Sequence, residues 1–211
     1  MPNTPRGTKL SAVPRARRAT SPRREQRQLI LHITLDYIEP HIWRRIRVPE
    51  SFTLHQLHRV IQFVFAWLDY HLYVFEIGKR RFEHPMGEMG YEPAVDVTLE
   101  EVGLKTGQRF TYTYDFGDDW RHVIRVEGFV PMPGEHEFDW TPRLLDGARA
   151  APPEDVGGPP GYSMLLDSLE NRRNEAPEEF RHMVPEGFDP ERFDREIIEH
   201  GLALAAAWGA I

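Results

Sequence analysis

The sequence predicts an α+β domain, a mainly antiparallel sheet of hairpins with helices packed on one face. Three observations lead there. Apolar and polar residues alternate over several short stretches, a capped amphipathic helix is written into residues 53–68, and strands come first while helices come last.

Residues 1–28 carry Pro2, Pro5, Pro14 and Pro22 among arginines and small polar residues. They offer little apolar surface to offset the entropy of ordering, so a disordered basic arm is expected, followed by a single α+β domain over residues 29–211. Leu29, Leu31, Ile33, Leu35 and Tyr37 alternate as a first strand. Glu39-Pro40-His41 turns the chain and Ile42 to Val48 forms a second, which makes an opening hairpin. Thr53 and Gln56 have capping-box spacing, and Leu54, Leu57, Ile61, Val64, Phe65 and Leu68 lay an apolar stripe along the helix. His58 falls within that stripe. His71, Tyr73, Phe75 and Ile77 alternate as a third strand, a short strand is expected near Phe82, and Leu99 to Val102 reads as a helical turn.

The alternation is clearest around Tyr112-Thr113-Tyr114-Asp115-Phe116-Gly117-Asp118-Asp119-Trp120-Arg121-His122. Phe110, Tyr112, Tyr114 and Phe116 share one phase, and Trp120, His122, Ile124 and Val126 share another beyond the Gly117-Asp118 turn. Such a pattern makes half-buried strands. An odd loop would pair Phe116 with Trp120, Tyr114 with His122, Tyr112 with Ile124 and Phe110 with Val126. It also opposes Asp115 to Arg121 and Arg109 to Glu127, whereas an even loop sets tyrosines against arginines. The odd loop is expected, with His122 toward the core and Asp115 outward unless the turn bends them together.

From Pro131 to Gly161 the chain is dense in proline and glycine, which predicts a long functional loop or covering flap. Tyr162, Leu165, Leu166 and Leu169 start a helix, and a shorter helical piece is expected near Pro177 to Met183. Asp189-Pro190 has the form of an N-cap followed by proline, opening a last helix through Phe193, Ile197, Leu204 and Trp208.

The 211 residues, 28% charged and 40% hydrophobic, fit one globular domain. The lack of cysteine excludes disulfides and thiolate metal sites. No apolar run approaches the roughly 20 residues that span a bilayer, and the start lacks the apolar segment of a secretory signal. A cytoplasmic protein with no membrane partner is expected. Residues 1–27 hold eight basic residues and one acid, leaving 18 basic against 32 acidic residues elsewhere. The 1–27 arm reads first as a solvated tail or an overlong start; the alternative is non-specific, salt-sensitive nucleic-acid contact through that arm, not through the general surface of the acidic domain.

His58, His71, Asp115, Asp118 and His122 are candidate metal ligands, with Asp119, Glu154 and Asp155 beside them. Imidazoles with carboxylates suit zinc, manganese or iron, with zinc or manganese the cofactors expected, and an open coordination position would activate water. No pair of them has the tight spacing of a helical metal motif. The competing reading is a structural clasp in which Glu154 or Asp155 folds back onto histidine or arginine, because a buried carboxylate needs a partner. Glu154, Asp155, Trp43 and Arg44 are candidate binding residues, Trp43 as a stacking or packing surface. Gly157-Gly158 before a helix could receive an anion, but the adjacent carboxylates repel phosphate, so turn geometry is expected. Asp115-Phe116-Gly117 matches a kinase triplet without the glycine-rich loop, strand lysine and catalytic-loop aspartate that a kinase needs.

Five segments occur in a distinctive order. They are Pro40 with Ile42-Trp43-Arg44-Arg45, Leu57-His58, Trp67 with His71-Leu72 and Phe75, Tyr114 to Asp118 with Trp120 and His122, and Pro152 to Asp155 with Gly157-Gly158 and Gly161-Tyr162. The succession resembles the plasmid pRiA4b ORF-3-like family over roughly Leu29 to Leu204. The resemblance implies an α+β domain of bacteria, archaea and mobile elements, and no particular activity. The resolvase label attached to some members does not transfer. A serine recombinase needs a parallel α/β catalytic domain and a helix-turn-helix, and this sequence has the pattern of neither. Many members have cysteines flanking the Pro-Pro-Glu-Asp element, where this chain has Ala151 and Val156.

These readings converge on a non-catalytic binding or interaction domain, associated with plasmids or mobile elements, for an unknown protein or ligand. The alternative is a metal-dependent hydrolase using histidines 58, 71 and 122 with Asp115, Asp118 or Glu154.

Overall fold

The computed structural model describes residues 26–132, 141–171, 183–209 and 211. The alternating stretches become β1 (Arg27–Leu35), β2 (Trp43–Pro49), β3 (Tyr73–Ile77), β4 (Arg80–Glu83), β5 (Glu92–Pro93), β6 (Arg109–Tyr114), β7 (Trp120–Pro131) and β8 (Arg143–Ala148). All lie in one sheet, ordered β5-β4-β3-β6-β7-β1-β2-β8 and antiparallel except between β4 and β5. The helices are α1 (Leu54–Phe65), α2 (Leu99–Val102), α3 (Gly158–Asn171) and α4 (Arg195–Ala207). The core lies on one face of the sheet, where Leu31, Ile33, Tyr112 and Ile124 meet Leu57 and Ile61 of α1, Leu165 of α3 and Leu202 of α4. This is an α+β domain.

The capping box forms as the sequence requires. Thr53 Oγ1 accepts from Gln56 N at 3.1 Å, and Gln56 Oε1 accepts from Thr53 N at 3.0 Å. The opening hairpin forms too, with Thr34 opposite Trp43 and Leu29 opposite Val48.

Four expectations change. Tyr114 pairs with Trp120, Tyr112 with His122 and Phe110 with Ile124, two residues from the expected register. Faces survive a shift of two, so the apolar side is intact. The turn claims Asp115 and Phe116, whose side chain is 41% exposed, and Arg109 now faces Arg125 instead of Glu127. Second, the strand starts inside the expected arm, at Arg27; residues 1–25 lie outside the described residues. Third, the Pro131–Gly161 segment contains β8, which pairs with the edge of β2. Fourth, α4 begins at Arg195 behind Asp194, not at Pro190, and Asp189 caps only a local turn through Glu191 N. That helix buries Leu202 and Ala205 and leaves Ile197, Leu204 and Trp208 exposed. Most of the helical piece expected at Pro177 to Met183 falls outside the described residues.

Three buried polar groups shape the core. Arg44, 2% exposed on the inner face of β2, donates to Val64 O, Trp43 O, Ala148 O and Arg149 O at 2.7 to 2.9 Å. Val64 lies in the last turn of α1, where carbonyls lack helical partners and the dipole favours a cation. Phe65 and Phe193 place their rings 4.9 and 4.7 Å from the guanidinium. Arg44 is therefore a structural bracket and not a surface binding residue.

The other two groups are histidines. His58 Nε2 lies 2.7 Å from Asp69 Oδ1 and its Nδ1 lies 2.8 Å from the Tyr112 hydroxyl, which also accepts from Gln62 Nε2 at 3.0 Å. His122 Nδ1 faces the carbonyls of Trp120 at 3.0 Å and Tyr112 at 3.3 Å. Burial, the largest cause in both, lowers His58 to about 4 against the opposing pull of Asp69, and His122 to about 3.

Replacing Arg44 by methionine removes four hydrogen bonds to carbonyls, those to Val64 O and Arg149 O being buried, and the unfolding free energy should fall by about 3 kcal/mol in chemical denaturation. The histidines predict a second result. Both stay neutral in the fold but protonate near 6.5 when unfolded, so their stabilisation is present above that pH and is lost as pH falls toward 4. Each contributes a slope of about 1.4 kcal/mol per pH unit. The part of the decline above about pH 5 belongs to histidine, since ordinary carboxylates titrate lower. A denaturation midpoint that is flat between about pH 6.5 and 5 would contradict this assignment.

Candidate functional site

The site is built where β6 ends. Asp115 leaves the strand with φ 55°, and its N–H donates to Leu72 O at 2.9 Å, tying the turn to the chain before β3. Aspartate tolerates this left-handed conformation because its short side chain bonds locally. Here Oδ1 accepts from Gly117 N at 2.9 Å, which orients the carboxylate.

One residue earlier, the Tyr114 hydroxyl joins three segments. It donates to Glu154 Oε1 at 2.7 Å and accepts from Tyr70 N at 3.0 Å, with His71 N at 3.4 Å. Burial first, and the Glu154 carboxylate next, raise this phenol above its ordinary range, so it remains a donor. Glu154 Oε2 accepts from Leu68 N at 3.1 Å. Trp67 stacks on Tyr114 with centroids 5.2 Å apart and donates Nε1–H to Pro152 O at 2.9 Å. The segment at residues 150–157 is thus a flap laid against the hairpin.

Glycine permits the close approach at its end. Gly158 has φ +67°, and a Cβ there would lie 2.3 Å from Asp118 O. Asp118 Oδ2 accepts from Gly157 N at 3.1 Å. These contacts account for the glycine pair as turn geometry.

The flap brings Asp155, with φ 57°, to the same place as Asp115. His71 Nε2 lies 3.2 Å from Asp155 Oδ1 and 3.6 Å from Asp115 Oδ2, and that buried nitrogen has no hydrogen-bond partner among the described residues. One donor atom from each residue falls within 4.8 Å of the other two. An imidazole and two carboxylates form a donor set suited to zinc or manganese.

Of the sequence-derived metal candidates, the fold unites His71 and Asp115 and joins them to Asp155. It holds Asp118 nearby on Gly157 N. It does not bring His58 or His122 to them: both lie on the inner face, where one serves Asp69 and Tyr112 and the other serves carbonyls. A three-histidine site is therefore not formed. Among the binding candidates, Glu154 and Asp155 are at the site, whereas Trp43 and Arg44, as neighbours on one strand, face opposite sides of the sheet. Asp69 and the Tyr114 hydroxyl escaped the sequence reading. A signal for Asp69 existed, an acid placed between Trp67 and His71.

Among the described residues no helix is long and apolar enough to cross a membrane. The family model for plasmid pRiA4b ORF-3-like proteins matches residues 27–197. The chain is 39% identical over 148 residues to the uncharacterized protein y4hQ of Sinorhizobium fredii, covering 69% of this chain and 74% of that one. The crystal structure of MM3350, a protein of unknown function from Methanosarcina mazei Go1, is similar with a TM-score of 0.70 and 33% identity. That match covers 82% of this chain and 96% of the archaeal one. Fold, motif order and these likenesses agree: the chain belongs to the plasmid pRiA4b ORF-3-like family.

Proposed function

We propose that the protein is a non-catalytic binding domain of the cytoplasm whose flap is locked onto the sheet by a divalent cation held by His71, Asp115 and Asp155. The supporting observation is the spacing around His71 Nε2. A histidine–carboxylate clasp closes to hydrogen-bond length, as His58 and Asp69 do at 2.7 Å. His71 instead stands 3.2 and 3.6 Å from its two carboxylates. Two ligands bound to one ion at about 2.1 Å each are separated by about 3.0–3.4 Å at tetrahedral or octahedral angles. The 3.2 Å separation falls in that range and the 3.6 Å separation lies slightly beyond it. Each ligand comes from a different segment, namely the turn after β6, the residues before β3 and the flap, so the cation would fasten all three. Association with plasmids or mobile elements rests on the family name.

A hydrolase reading draws on the same trio. Three protein ligands leave a coordination position open, and His71 and Asp155 both keep solvent exposure.

Dialysed protein titrated with Zn²⁺ or Mn²⁺ should take up one ion per chain and unfold at higher temperature. At about 100 times the dissociation constant the gain is about 2.7 kcal/mol. His71→Ala and Asp115→Asn should lose the uptake and the gain while remaining folded. Wild-type protein that takes up neither ion would refute the proposal. Metal-dependent turnover of a p-nitrophenyl ester or phosphate, lost in His71→Ala, would favour the hydrolase over the non-catalytic reading.

A further inference from the structure

Among the described residues the helices cover one face of the sheet, and the opposite face carries a row of basic side chains. In it Arg109 and Arg125 set like charges against each other, while burial holds the His32 imidazole below its ordinary range. Arg109 pairs with Arg125, Arg125 with His32, and His32 with Arg45, so these side chains line up across β6, β7, β1 and β2. Adjacent strands are about 4.8 Å apart, and like charges directly opposite destabilise a sheet. Two carboxylates answer them: Asp146 of β8 stands opposite Arg45, and Glu127 bonds two of the arginines. Glu127, the extra residue of a bulge in β7, accepts from Arg45 Nε at 2.6 Å and from Arg125 Nη2 at 2.8 Å. Its effect is to hold two guanidiniums in place while both side chains remain 41% exposed. Among the described residues, Arg109 and Arg47 have no carboxylate partner.

The next row is different. Thr111, Val123, Thr34 and Trp43 pair in succession across the same strands and carry no charge. At its end the Trp43 indole stacks on His32, with centroids 5.0 Å apart and planes 13° apart. A protein of net charge −7 thus concentrates arginine beside an aromatic pair on the sheet face that none of the described helices covers.

We infer that this face binds single-stranded nucleic acid, with phosphates along Arg109, Arg125 and Arg45 and bases over the Thr-Val floor against Trp43. Cationic tracks beside stacking aromatics are the common design of such surfaces. An acidic protein partner would use the guanidiniums but has no need of the Trp43–His32 pair. A duplex keeps its bases stacked inside and cannot lay them on a flat sheet. The flap and its proposed cation lie on the helical side, so the inference is independent of them.

Fluorescence anisotropy of the full chain tests this in EDTA, which removes any contribution of a bound cation. The probe is a labelled oligothymidine of about 20 nucleotides, longer than the roughly 4–16 that one such surface covers. Binding should weaken steeply with salt. Arg109→Glu should weaken it at least about tenfold while leaving the unfolding midpoint equal or higher, because the new carboxylate faces Arg125. Trp43→Leu should cost about tenfold in affinity. The inference is overturned if the oligonucleotide does not bind, or if both variants bind like wild type, which would assign binding to the basic arm. It is also overturned if Arg109→Glu alone weakens binding and heparin competes as well as oligonucleotide, which would describe a surface for any polyanion.

Discussion

The Tyr114 hydroxyl is the contact on which the arrangement of the site depends. It gives its proton to Glu154 and receives backbone N–H groups from the residues just before β3. A buried phenol gains little net free energy from one such bond, but loss of the oxygen leaves several groups unsatisfied at once. The hydroxyl also sets distances. It holds His71 beside the turn, and through Glu154 it delivers Asp155 to the same point. Trp67, stacked on the Tyr114 ring and bonded to Pro152, supports the flap from the side.

The two faces of the sheet treat charge in opposite ways. On the inner face charge is avoided or surrounded: Arg44 is satisfied by carbonyls, and His58 and His122 remain neutral. Such groups hold the core to one register, because a shifted strand would bury them without partners. On the outer face charges meet in the open: Arg109 stands opposite Arg125, Arg81 opposite Glu76, and Glu127 bonds both Arg45 and Arg125. The Arg109–Arg125 opposition is the element of the outer face that local stability does not favour.

Much of the fold was legible because its signals are local. Alternation located β1, β2, β3, β6 and β7, and the Thr53–Gln56 capping box located α1. The hairpin register was misjudged because Asp115 looks like the next strand residue in the pattern, yet it adopts the left-handed conformation and starts the turn. β8 was hidden by the prolines and glycines around it. The stripe expected on α4 was misread because an apolar series does not reveal which side finds a neighbour, and Trp208 is 80% exposed. In the site, the residue types were legible and their grouping was not. His58 and His122 looked like ligands from composition, but periodicity turns both inward; Asp155 joins His71 only through the flap, a long-range contact that no local pattern encodes.

The most direct test of this account is the Zn²⁺ affinity of Tyr114→Phe, measured by calorimetry beside wild type. The substitution leaves His71, Asp115 and Asp155 in the sequence and removes only the oxygen that aligns them. The account predicts at least a tenfold loss of affinity in a folded protein. Wild-type affinity in that variant would show that the three ligands meet without the hydroxyl, and would contradict it.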